Sequence, residues 1–488
     1  MNSSLSVDID YDSILPFSER GRYFLFHSKS LAVVEIPIDA HELIVRSKGI
    51  GEDKESKEFV DCHGTVAHLR IRKQLAALLS RIAAPDGQAT AWAKRSAAHG
   101  ISEVYLSLTS VCNLACSYCF GRKGTGDRTV PKRMSRETAR QSLRYIFSQV
   151  PSDRPLSIVF WGGEPLLNPE VLEVALNEIE QERITVKRDI SLATTTNGTL
   201  LTPEMSELLA RHKVVVNLSL DGNEEVHDRS RRFPDGRGSF STIEKNLSSH
   251  LLISAKYFRE CVPRARLTIT RQSVRDLFDN YRTLWERGIP VVWCKEVSWL
   301  DPGSEYLLRD EDFQILRGQF DQIRDYLIGR VLHNGGTEVY PQVWWDLHAL
   351  HQRRVTQSWC GAGTTNISIE TDGSISACYH LAGNPRFACG SIWSGFVPQT
   401  QYNPPDRLVD GLSHCRDCGI RYLCGGGCVA KGVELLGDPY AVSASECLFS
   451  QIFQEYRIRM YLALMTSSRS EQIRRILSVK PTTRANDD

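Results

Sequence analysis

The stretch Ser110-Val-Cys-Asn-Leu-Ala-Cys-Ser-Tyr-Cys-Phe120 places three cysteines, Cys112, Cys116 and Cys119, within eight residues. Thiolates are the ligands of iron–sulfur clusters, and a cluster of four irons normally takes four of them. Three cysteines so close together therefore predict a cluster with one iron open to bind another molecule. A zinc site or a chance group of buried cysteines is the alternative, although zinc sites usually pair two Cys-x2-Cys knuckles.

Apolar strand-like runs alternate with amphipathic helical stretches around this loop, from about residue 103 to residue 330. The alternation predicts a parallel sheet of six βα units, fewer than the eight that close a full barrel. The predicted strands are 104–108, 157–161, 190–195, 214–220, 266–270 and 291–297, and the predicted helices are 135–149, 168–181, 202–212, 239–251, 273–287 and 309–332. Chemistry in such sheets lies at the carboxyl ends of the strands, and the three-cysteine loop directly follows the first strand.

Three more strand ends carry side chains or turns suited to a ligand. The second strand ends in Trp161-Gly-Gly-Glu-Pro165, where glycines let a ligand approach the backbone and Glu164 can accept a hydrogen bond from an ammonium group. The third and fourth strands end in hydroxyl and amide groups that suit a ribose or a carboxylate, with Thr196, Asn197 and Ser219 as candidates.

The Cys-x3-Cys-x2-Cys spacing, with Tyr118 before the last cysteine, resembles the signature of radical S-adenosylmethionine (radical SAM) enzymes. The turn after the second strand is similar to their GGEP motif, and residues 221–240 resemble a further family run, although the basic residues there are equally typical of a solvated loop. The resemblance implies an α/β fold with a partial (β/α)6 barrel. It also implies that a [4Fe-4S] cluster on Cys112, Cys116 and Cys119 cleaves S-adenosylmethionine to a 5'-deoxyadenosyl radical. The residues that would hold S-adenosylmethionine are Gly162, Gly163, Glu164, Pro165, Thr196, Asn197 and Ser219.

A second group of cysteines lies in the C-terminal third, at Cys360, Cys378, Cys415, Cys418, Cys424, Cys428 and Cys447. Seven thiolates nearly satisfy two four-thiolate sites and exceed what one zinc ion needs, although zinc on Cys415, Cys418, Cys424 and Cys428 is an alternative. The pattern C-x12-G-x4-C, C-x2-C-x5-C-x3-C, C resembles the SPASM domain of radical SAM enzymes, which binds two auxiliary clusters.

That resemblance implies three [4Fe-4S] clusters in all. The first auxiliary cluster would use Cys360, Cys378 and Cys428, and the second Cys415, Cys418, Cys424 and Cys447. Some relatives have one more cysteine where this chain has Asn366, so the fourth ligand of the first auxiliary cluster stays open. Cys389 is the nearest spare cysteine, and it is equally typical of a buried small apolar residue.

The N-terminal hundred residues have a different pattern, with strands predicted at 22–27 and 31–36, a helix from about residue 39 and a helix at 68–83. This small α+β pattern resembles the winged-helix peptide-recognition domain of enzymes that mature ribosomally made peptides, which binds the leader as an added strand. An ordinary N-terminal cap is the alternative. The predicted domains are 1–98 for recognition, 99–335 for the partial barrel, 336–455 for SPASM, and 456–488 for a helix and tail. Residues 399–407 are predicted as a surface loop and the tail from 481 as disordered.

Composition excludes several classes of partner. The 488 residues include 59 Lys and Arg against 58 Asp and Glu, so no basic footprint for nucleic acid or an anionic membrane is present. No apolar run approaches membrane-spanning length, and the start lacks a signal peptide pattern, so a cytoplasmic protein is expected. Fourteen cysteines in a reducing compartment indicate metal binding or catalysis rather than disulfides.

The resemblance implies an enzyme that abstracts hydrogen from a residue of a ribosomally made precursor peptide and installs a thioether or carbon–carbon cross-link. A flavodoxin or ferredoxin would donate electrons. Sulfatase maturases, which make formylglycine, carry an aspartate directly after the cysteine corresponding to Cys378, and Tyr379 in its place argues against that role. Formylglycine formation or another radical dehydrogenation stays the alternative, as does a non-catalytic metal scaffold. Tyr379, His380 and Asp221 are candidate proton handlers, each with a structural role as the alternative.

Overall fold

The computed structural model describes residues 9–48, 65–82, 100–119, 121, 132–257, 264–298, 300, 303–333, 347–397 and 407–478. The predictions for residues 399–406 and for the tail from 481 lie outside these ranges. So do the spare cysteines Cys62 and Cys261. Among the described helices, none is both long and apolar enough to cross a lipid bilayer.

The N-terminal unit is a three-stranded antiparallel sheet with two helices: β1 (Ile14–Glu19), β2 (Arg22–His27), β3 (Ala32–Ile36), α1 (Ile38–Ser47) and α2 (Thr65–Ile82). Both predicted strands and both predicted helices are present. The sequence prediction missed β1, because Pro16 lowers its strand signal, although proline is tolerated in an edge strand. Phe17, Phe24 and Phe26 of this sheet pack against buried residues from the C-terminal part of the chain, including Ile458 and Leu462.

The centre of the molecule is a mixed ten-stranded sheet. Its six parallel strands are β4 (Glu103–Thr109), β5 (Leu156–Gly162), β6 (Ile190–Thr196), β7 (Val214–Ser219), β8 (Arg264–Ile269) and β9 (Val291–Glu296), in that spatial order. They confirm the six predicted strands to within two residues at each end. Their side chains alternate less than those of a half-buried sheet, since helices cover one face and the interior of the curved sheet is also enclosed.

Helices connect these strands and cover the sheet. They are α3 (Arg136–Gln149), α4 (Pro169–Thr185), α5 (Pro203–Arg211), α6 (Glu224–Ser230), α7 (Phe240–Tyr257), α8 (Leu277–Glu286) and α9 (Asp310–His333). Side chains cap the starts of α3, α5 and α6, because Ser135 accepts a hydrogen bond from the Thr138 amide, Thr202 from the Met205 amide and Asn223 from the Val226 amide. The short helix α6 was not predicted, since its seven residues are too few to show a helical period.

The cysteine-rich region extends the same sheet. Strands β10 (Asn366–Ile369), β11 (Ser374–Ser376), β12 (Ala388–Ser391) and β13 (Gly395–Phe396) follow one another outward, and β10 pairs in parallel with β4. Four helices follow: α10 (Arg421–Cys424), α11 (Val429–Leu436), α12 (Ala444–Met465) and α13 (Ser470–Ser478). One hydrophobic core runs from Ile101 to Leu477 through both regions.

Arg407 corrects one sequence expectation, because it is fully buried instead of lying in a surface loop. Its guanidinium donates hydrogen bonds to the carbonyls of Pro439, Gly426 and Gly427. The prediction failed because a polar, proline-containing segment gives no sign of the one side chain that the tertiary fold turns inward.

Candidate active site

The three-cysteine loop lies directly after β4, at the carboxyl end of the parallel strands. Backbone amides of Ala115 and Ser117 donate to the carbonyls of Arg232 and Ser230, at 2.7 and 3.0 Å. Asn113 donates to the Thr199 hydroxyl at 2.8 Å. The loop is therefore held by the ends of two other βα units, as expected for a site at this edge of the sheet.

Gly162 and Gly163 allow the end of β5 to press against the start of the cysteine loop. A Cβ on Gly162 would lie 2.1 Å from the Thr109 carbonyl oxygen, and one on Gly163 would lie 2.4 Å from the Val111 carbonyl oxygen. The Gly163 amide also donates to the Thr109 carbonyl at 2.8 Å. These glycines thus serve a close approach between two backbones, besides lining the cavity described below.

Glu164 does not line that cavity, and neither does Pro165. The Glu164 carboxylate, 1% exposed, accepts hydrogen bonds at 2.7 Å from both the Thr196 hydroxyl and the Asn197 amide. Burial raises its pKa to about 7 although these hydrogen bonds oppose the shift. In the structure Glu164 joins the ends of β5 and β6, and its contact with the cofactor stays a prediction.

The remaining predicted cofactor contacts do face the cavity. Thr196, Asn197 and Ser219 line it at the ends of β6 and β7. The Asn197 amide group donates to the Asn113 side-chain oxygen at 2.9 Å and lies 3.8 Å from the Cys112 sulfur. Asn197 therefore couples the third strand end directly to the first cysteine.

Asp221 is buried in an ion pair and is not among the residues that line the cavity. Its carboxylate accepts from the Arg231 guanidinium at 2.8 Å, from the Thr268 amide at 3.0 Å, and from the Tyr118 hydroxyl. Burial opposes ionisation, but the charge and hydrogen bonds of Arg231 outweigh it, so the pKa of Asp221 lies below its ordinary value. Because Tyr118 directly precedes Cys119, this network positions the cysteine loop, and Tyr118, Arg231 and Thr268 all line the cavity.

His227 of the same segment is also structural. It is fully buried, its Nε2 lies 3.0 Å from the Ser239 hydroxyl, and burial lowers its pKa to about 3. Asp228 accepts from the amides of Ser239 and Phe240 at 2.8 and 3.0 Å. Residues 221–240 therefore stabilise the start of α7, while Arg229 and Arg232 remain exposed.

The seven C-terminal cysteines fall into two spatial groups. The pKa of Cys378 is raised by burial and then by the nearby thiolates of Cys428 and Cys360. These three cysteines therefore lie close together although they come from separate loops. Burial and then the thiolates of Cys424, Cys418 and Cys447 raise the pKa of Cys415 to about 12. Cys360, Cys378 and Cys428 thus lie near one another, as do Cys415, Cys418, Cys424 and Cys447, and the binding of a cluster by each set stays a prediction. No three Cys, His, Asp or Glu side chains in the described residues surround a point for a single metal ion.

Cys389 lies outside both groups. It is completely buried in the hydrophobic core, with its sulfur 3.7 Å from the Phe387 carbonyl oxygen. Asn366 begins β10 and its side-chain oxygen accepts from the Thr365 hydroxyl at 3.1 Å. Cys389 therefore packs as a small apolar residue.

One cavity of about 1370 Å³ connects the cysteine loop with the C-terminal region. Its walls include Cys112, Cys116 and Cys119 as well as the group of Cys360, Cys378 and Cys428. Cys424 also contributes to the wall. This volume is larger than one drug-sized ligand usually needs, so the cavity has room for more than one molecule.

A cluster of aromatic side chains forms part of the cavity wall. The ring of Tyr379 lies 4.6 Å from that of Tyr105, 4.4 Å from that of Trp161 and 4.2 Å from that of His380. All four line the cavity. Burial, and then the thiolate of Cys378, raises the pKa of Tyr379, so its phenol stays protonated at neutral pH.

Two charged side chains at the cavity wall were missed by sequence reasoning. Lys431 lies 3.1 Å from Glu296, both are buried, and they come from α11 and β9. The only available sequence signal was the position of Glu296 at the end of a predicted strand, since nothing in the sequence pairs residues 135 positions apart.

Comparison with known proteins places these features in a family. Residues 106–248 match the sequence model of the radical SAM superfamily. A cysteine-type anaerobic sulfatase-maturating enzyme of Clostridium perfringens is 25% identical over 339 residues, which are 66% of this chain and 86% of that protein. The mycofactocin maturase MftC of Mycolicibacterium smegmatis is 28% identical over 352 residues, 69% of this chain and 81% of that protein.

A solved structure shares the fold. Native anSMEcpe with bound AdoMet and Cp18Cys peptide superposes with a TM-score of 0.59 at 20% identity, covering 75% of this chain and 99% of that chain. The matched segment 106–248 contains the cysteine loop and the Gly-Gly-Glu-Pro turn described above. Residues 106–248 therefore form a radical SAM domain, and the chain is an enzyme.

Proposed function

We propose that this enzyme is a maturase that modifies a peptide or protein substrate by radical chemistry with S-adenosylmethionine. The observation that carries the proposal is the single cavity lined by both Cys112, Cys116 and Cys119 and the group of Cys360, Cys378 and Cys428. Its volume of about 1370 Å³ accommodates a cofactor together with a segment of peptide. The similar proteins include maturases for a sulfatase and for mycofactocin.

The donor sets fit iron–sulfur clusters. Each of the three cysteine groups offers thiol sulfur atoms, the ligands that such clusters require, and burial raises the pKa of Cys112 to about 12. Thiols must lose their protons when they bind metal, so loading releases protons from these sites. We assign Cys112, Cys116 and Cys119 to the catalytic cluster, Cys360, Cys378 and Cys428 to a first auxiliary cluster, and Cys415, Cys418, Cys424 and Cys447 to a second.

Bound there, the clusters and S-adenosylmethionine supply the one-electron and hydrogen-abstraction chemistry. The chain provides position and shelter for it. Gly162 and Gly163 expose backbone groups next to the cysteine loop, while Thr196, Asn197 and Ser219 offer hydroxyl and amide groups toward the same space. The aromatic side chains of Trp161 and Tyr379 limit the access of water to one wall, which protects a reactive centre from side reactions.

For the reaction that the enzyme catalyses, we propose cross-link formation, and formylglycine formation is the second candidate. The residue after Cys378 is the protonated phenol Tyr379, which does not act as a carboxylate base. This observation favours a thioether or carbon–carbon cross-link. The 25% identity to a sulfatase-maturating enzyme favours the second candidate.

The N-terminal sheet is proposed to bind the leader of the precursor peptide. Within the described residues, β3 pairs with β2 alone, so one edge of β3 is open to an added strand. The opposite edge strand, β1, packs near α12, where Arg459 donates to the Ser18 carbonyl at 3.5 Å. A flavodoxin or ferredoxin is proposed as the electron donor.

Co-expression with a short peptide encoded beside the gene tests the proposal. A loss of two hydrogens that persists after thiol alkylation and links two residues in fragmentation spectra is expected for cross-linking. Conversion of a cysteine or serine to an aldehyde would establish the second candidate. The matched control carries Cys112→Ala, Cys116→Ala and Cys119→Ala, which should abolish every mass change. An unchanged peptide with a fully iron-loaded enzyme and S-adenosylmethionine present would contradict a maturase acting on that peptide.

A further inference from the structure

Glu296 is the last residue of β9 and lines the cavity, and one of its two carboxylate oxygens has no described hydrogen-bond donor. It is 7% exposed, and Lys431 occupies only its Oε1 oxygen, at 3.1 Å. No described residue donates a hydrogen bond to Oε2. A buried carboxylate oxygen without a donor is unfavourable, so a ligand that supplies one would be bound selectively.

The ammonium group that pairs with Glu296 is shared with a second carboxylate. Lys431 is shared, because its ammonium also lies 3.6 Å from the buried carboxylate of Glu446. Two carboxylates therefore face one ammonium. Lys295, the residue before Glu296, has its ammonium 4.5 Å from the centre of the Trp359 ring. A cation entering the cavity would complete the pairing at Glu296.

The position of Glu296 indicates that this cation comes from a bound substrate and not from a side chain of the protein. Glu446 also has one carboxylate oxygen without a described donor, but it does not line the cavity. Glu296 does line it, at the same carboxyl edge of the sheet as Asn197 and Ser219. Active-site groups in sheets of this kind come from such ends.

We propose that Glu296 is a specificity-determining acceptor that binds a cationic group of the peptide substrate, a lysine or arginine side chain or an amino terminus. The proposal rests on the proposed function for the source of the cation. S-adenosylmethionine also carries an amino group, so the experiment has to separate the two sources. Lys431 pairs with Oε1 of Glu296, which leaves Oε2 as the oxygen that would accept the incoming donor.

The test measures binding to the intact, iron-loaded enzyme by ligand-observed NMR with three four-carbon probes, n-butylammonium, n-butylguanidinium and neutral n-butanol. Glu296→Gln should weaken binding of both cations at least about tenfold and leave n-butanol unchanged. Glu296→Asp, which keeps the charge, should retain a preference for the cations. The matched control is Glu370→Gln, another cavity carboxylate, which already accepts from the Ser368 hydroxyl at 2.6 Å.

Two results would overturn the proposal. One is cation binding that Glu296→Gln leaves unchanged while its iron content and unfolding midpoint match those of the wild type. The other is a tenfold loss of S-adenosylmethionine affinity in Glu296→Gln with unchanged binding of the two cationic probes. Failure to find a modified peptide would contradict the proposed maturase function but would leave the probe affinities unchanged. The failure of that proposal and the failure of the Glu296 proposal are therefore distinguishable.

Discussion

Two buried carboxylic acids next to the cysteine loop have pKa values displaced in opposite directions. Asp221 is 3% exposed and Glu164 is 1% exposed. Arg231 supplies a full positive charge to Asp221 and lowers its pKa, whereas Glu164 receives hydrogen bonds only from neutral groups and burial raises its pKa to about 7. The charge of the partner therefore decides which carboxyl group is ionised at neutral pH.

Replacing Asp221 with asparagine should destabilise the protein strongly. The variant leaves the Arg231 guanidinium buried without its counter-charge, a change that typically costs about 3–5 kcal/mol. The unfolding midpoint of the iron-loaded enzyme should fall by many degrees. Asp235→Asn is the matched control, because Asp235 pairs with Arg237 at the surface and its loss should shift the midpoint little. Equal midpoints for the Asp221 variant and wild type would contradict this structural role.

Glu164→Gln should change how stability depends on pH. The pKa of Glu164 rises from 4.5 in the unfolded chain to about 7 in the folded one, so the folded state binds the proton more tightly. Its contribution is complete below about pH 4.5 and is lost as pH rises to about 7, with a total of about 3 kcal/mol.

The variant lacks this titration. Relative to wild type, Glu164→Gln should therefore gain about 3 kcal/mol between pH 4.5 and 7.5, measured by urea unfolding of the metal-free protein. Glu170→Gln, at an exposed carboxylate, should leave the pH dependence as in wild type. Parallel curves for wild type and Glu164→Gln would show that Glu164 does not titrate in this range.

At the scale of elements, the site depends on two backbone segments that approach each other without side chains between them. The end of β5 and the start of the cysteine loop are joined by the Gly163 and Glu164 amides, which donate to Thr109 and Val111 carbonyls at 2.8 Å. The loop after β4 therefore takes its path from the neighbouring strand as well as from its own sequence.

Gly163→Ala should displace the cysteine loop and reduce iron loading. Its methyl group would lie 2.4 Å from the Val111 carbonyl oxygen, a backbone atom that cannot rotate away. Iron analysis of the purified variant should show the loss of about one four-iron cluster. Gly318→Ala is the control, since a methyl group there meets open space on α9. Normal iron content in Gly163→Ala would show that the loop adapts to the clash.

The C-terminal cysteine region also depends on glycines that allow an unusual backbone path. Gly425, Gly426 and Gly427 all have positive φ and form the turn between Cys424 and Cys428. The buried Arg407 donates to two of their carbonyls, at 3.3 and 3.4 Å. This turn brings Cys424 and Cys428 into different cysteine groups although only three residues separate them.

At the scale of the whole molecule, the cysteine-rich region is built into the catalytic sheet. Strand β10 pairs with β4 in the register Asn366 to Glu103, and one hydrophobic core includes residues of both regions. The cavity consequently has one wall from each region. The C-terminal cysteine region is thus joined to the sheet that carries the cysteine loop by strand pairing and a shared core.

Iron and sulfide content tests the three-cluster assignment for the complete chain. Anaerobically reconstituted enzyme should contain about 12 iron atoms, and replacing Cys112, Cys116 and Cys119 by alanine should lower this to about 8. Replacing Cys360 and Cys378 should remove about four irons independently of the first set. Zinc, or about four irons in the wild type, would contradict the assignment.

The sequence predicted the six parallel strands because apolar strands and amphipathic helices have different periods, which are readable locally. The division of the C-terminal cysteines into two ligand sets came from a resemblance to a spaced motif, and it stays a prediction. The pairing of β10 with β4 and the burial of Arg407 could not be predicted, because each depends on contacts between residues far apart in the chain.

By its own chemistry, then, the sequence determined a radical SAM domain, since cysteine spacing and a glycine turn after consecutive strands are local features. Only the tertiary structure decided which candidate side chains face the cavity. Glu164 and Asp221 turn inward because hydrogen-bond donors from other strands surround them, while Glu296 meets Lys431 across 135 residues and faces the cavity. The reason is physical: the direction of a polar side chain is set by the partners that the fold brings to it.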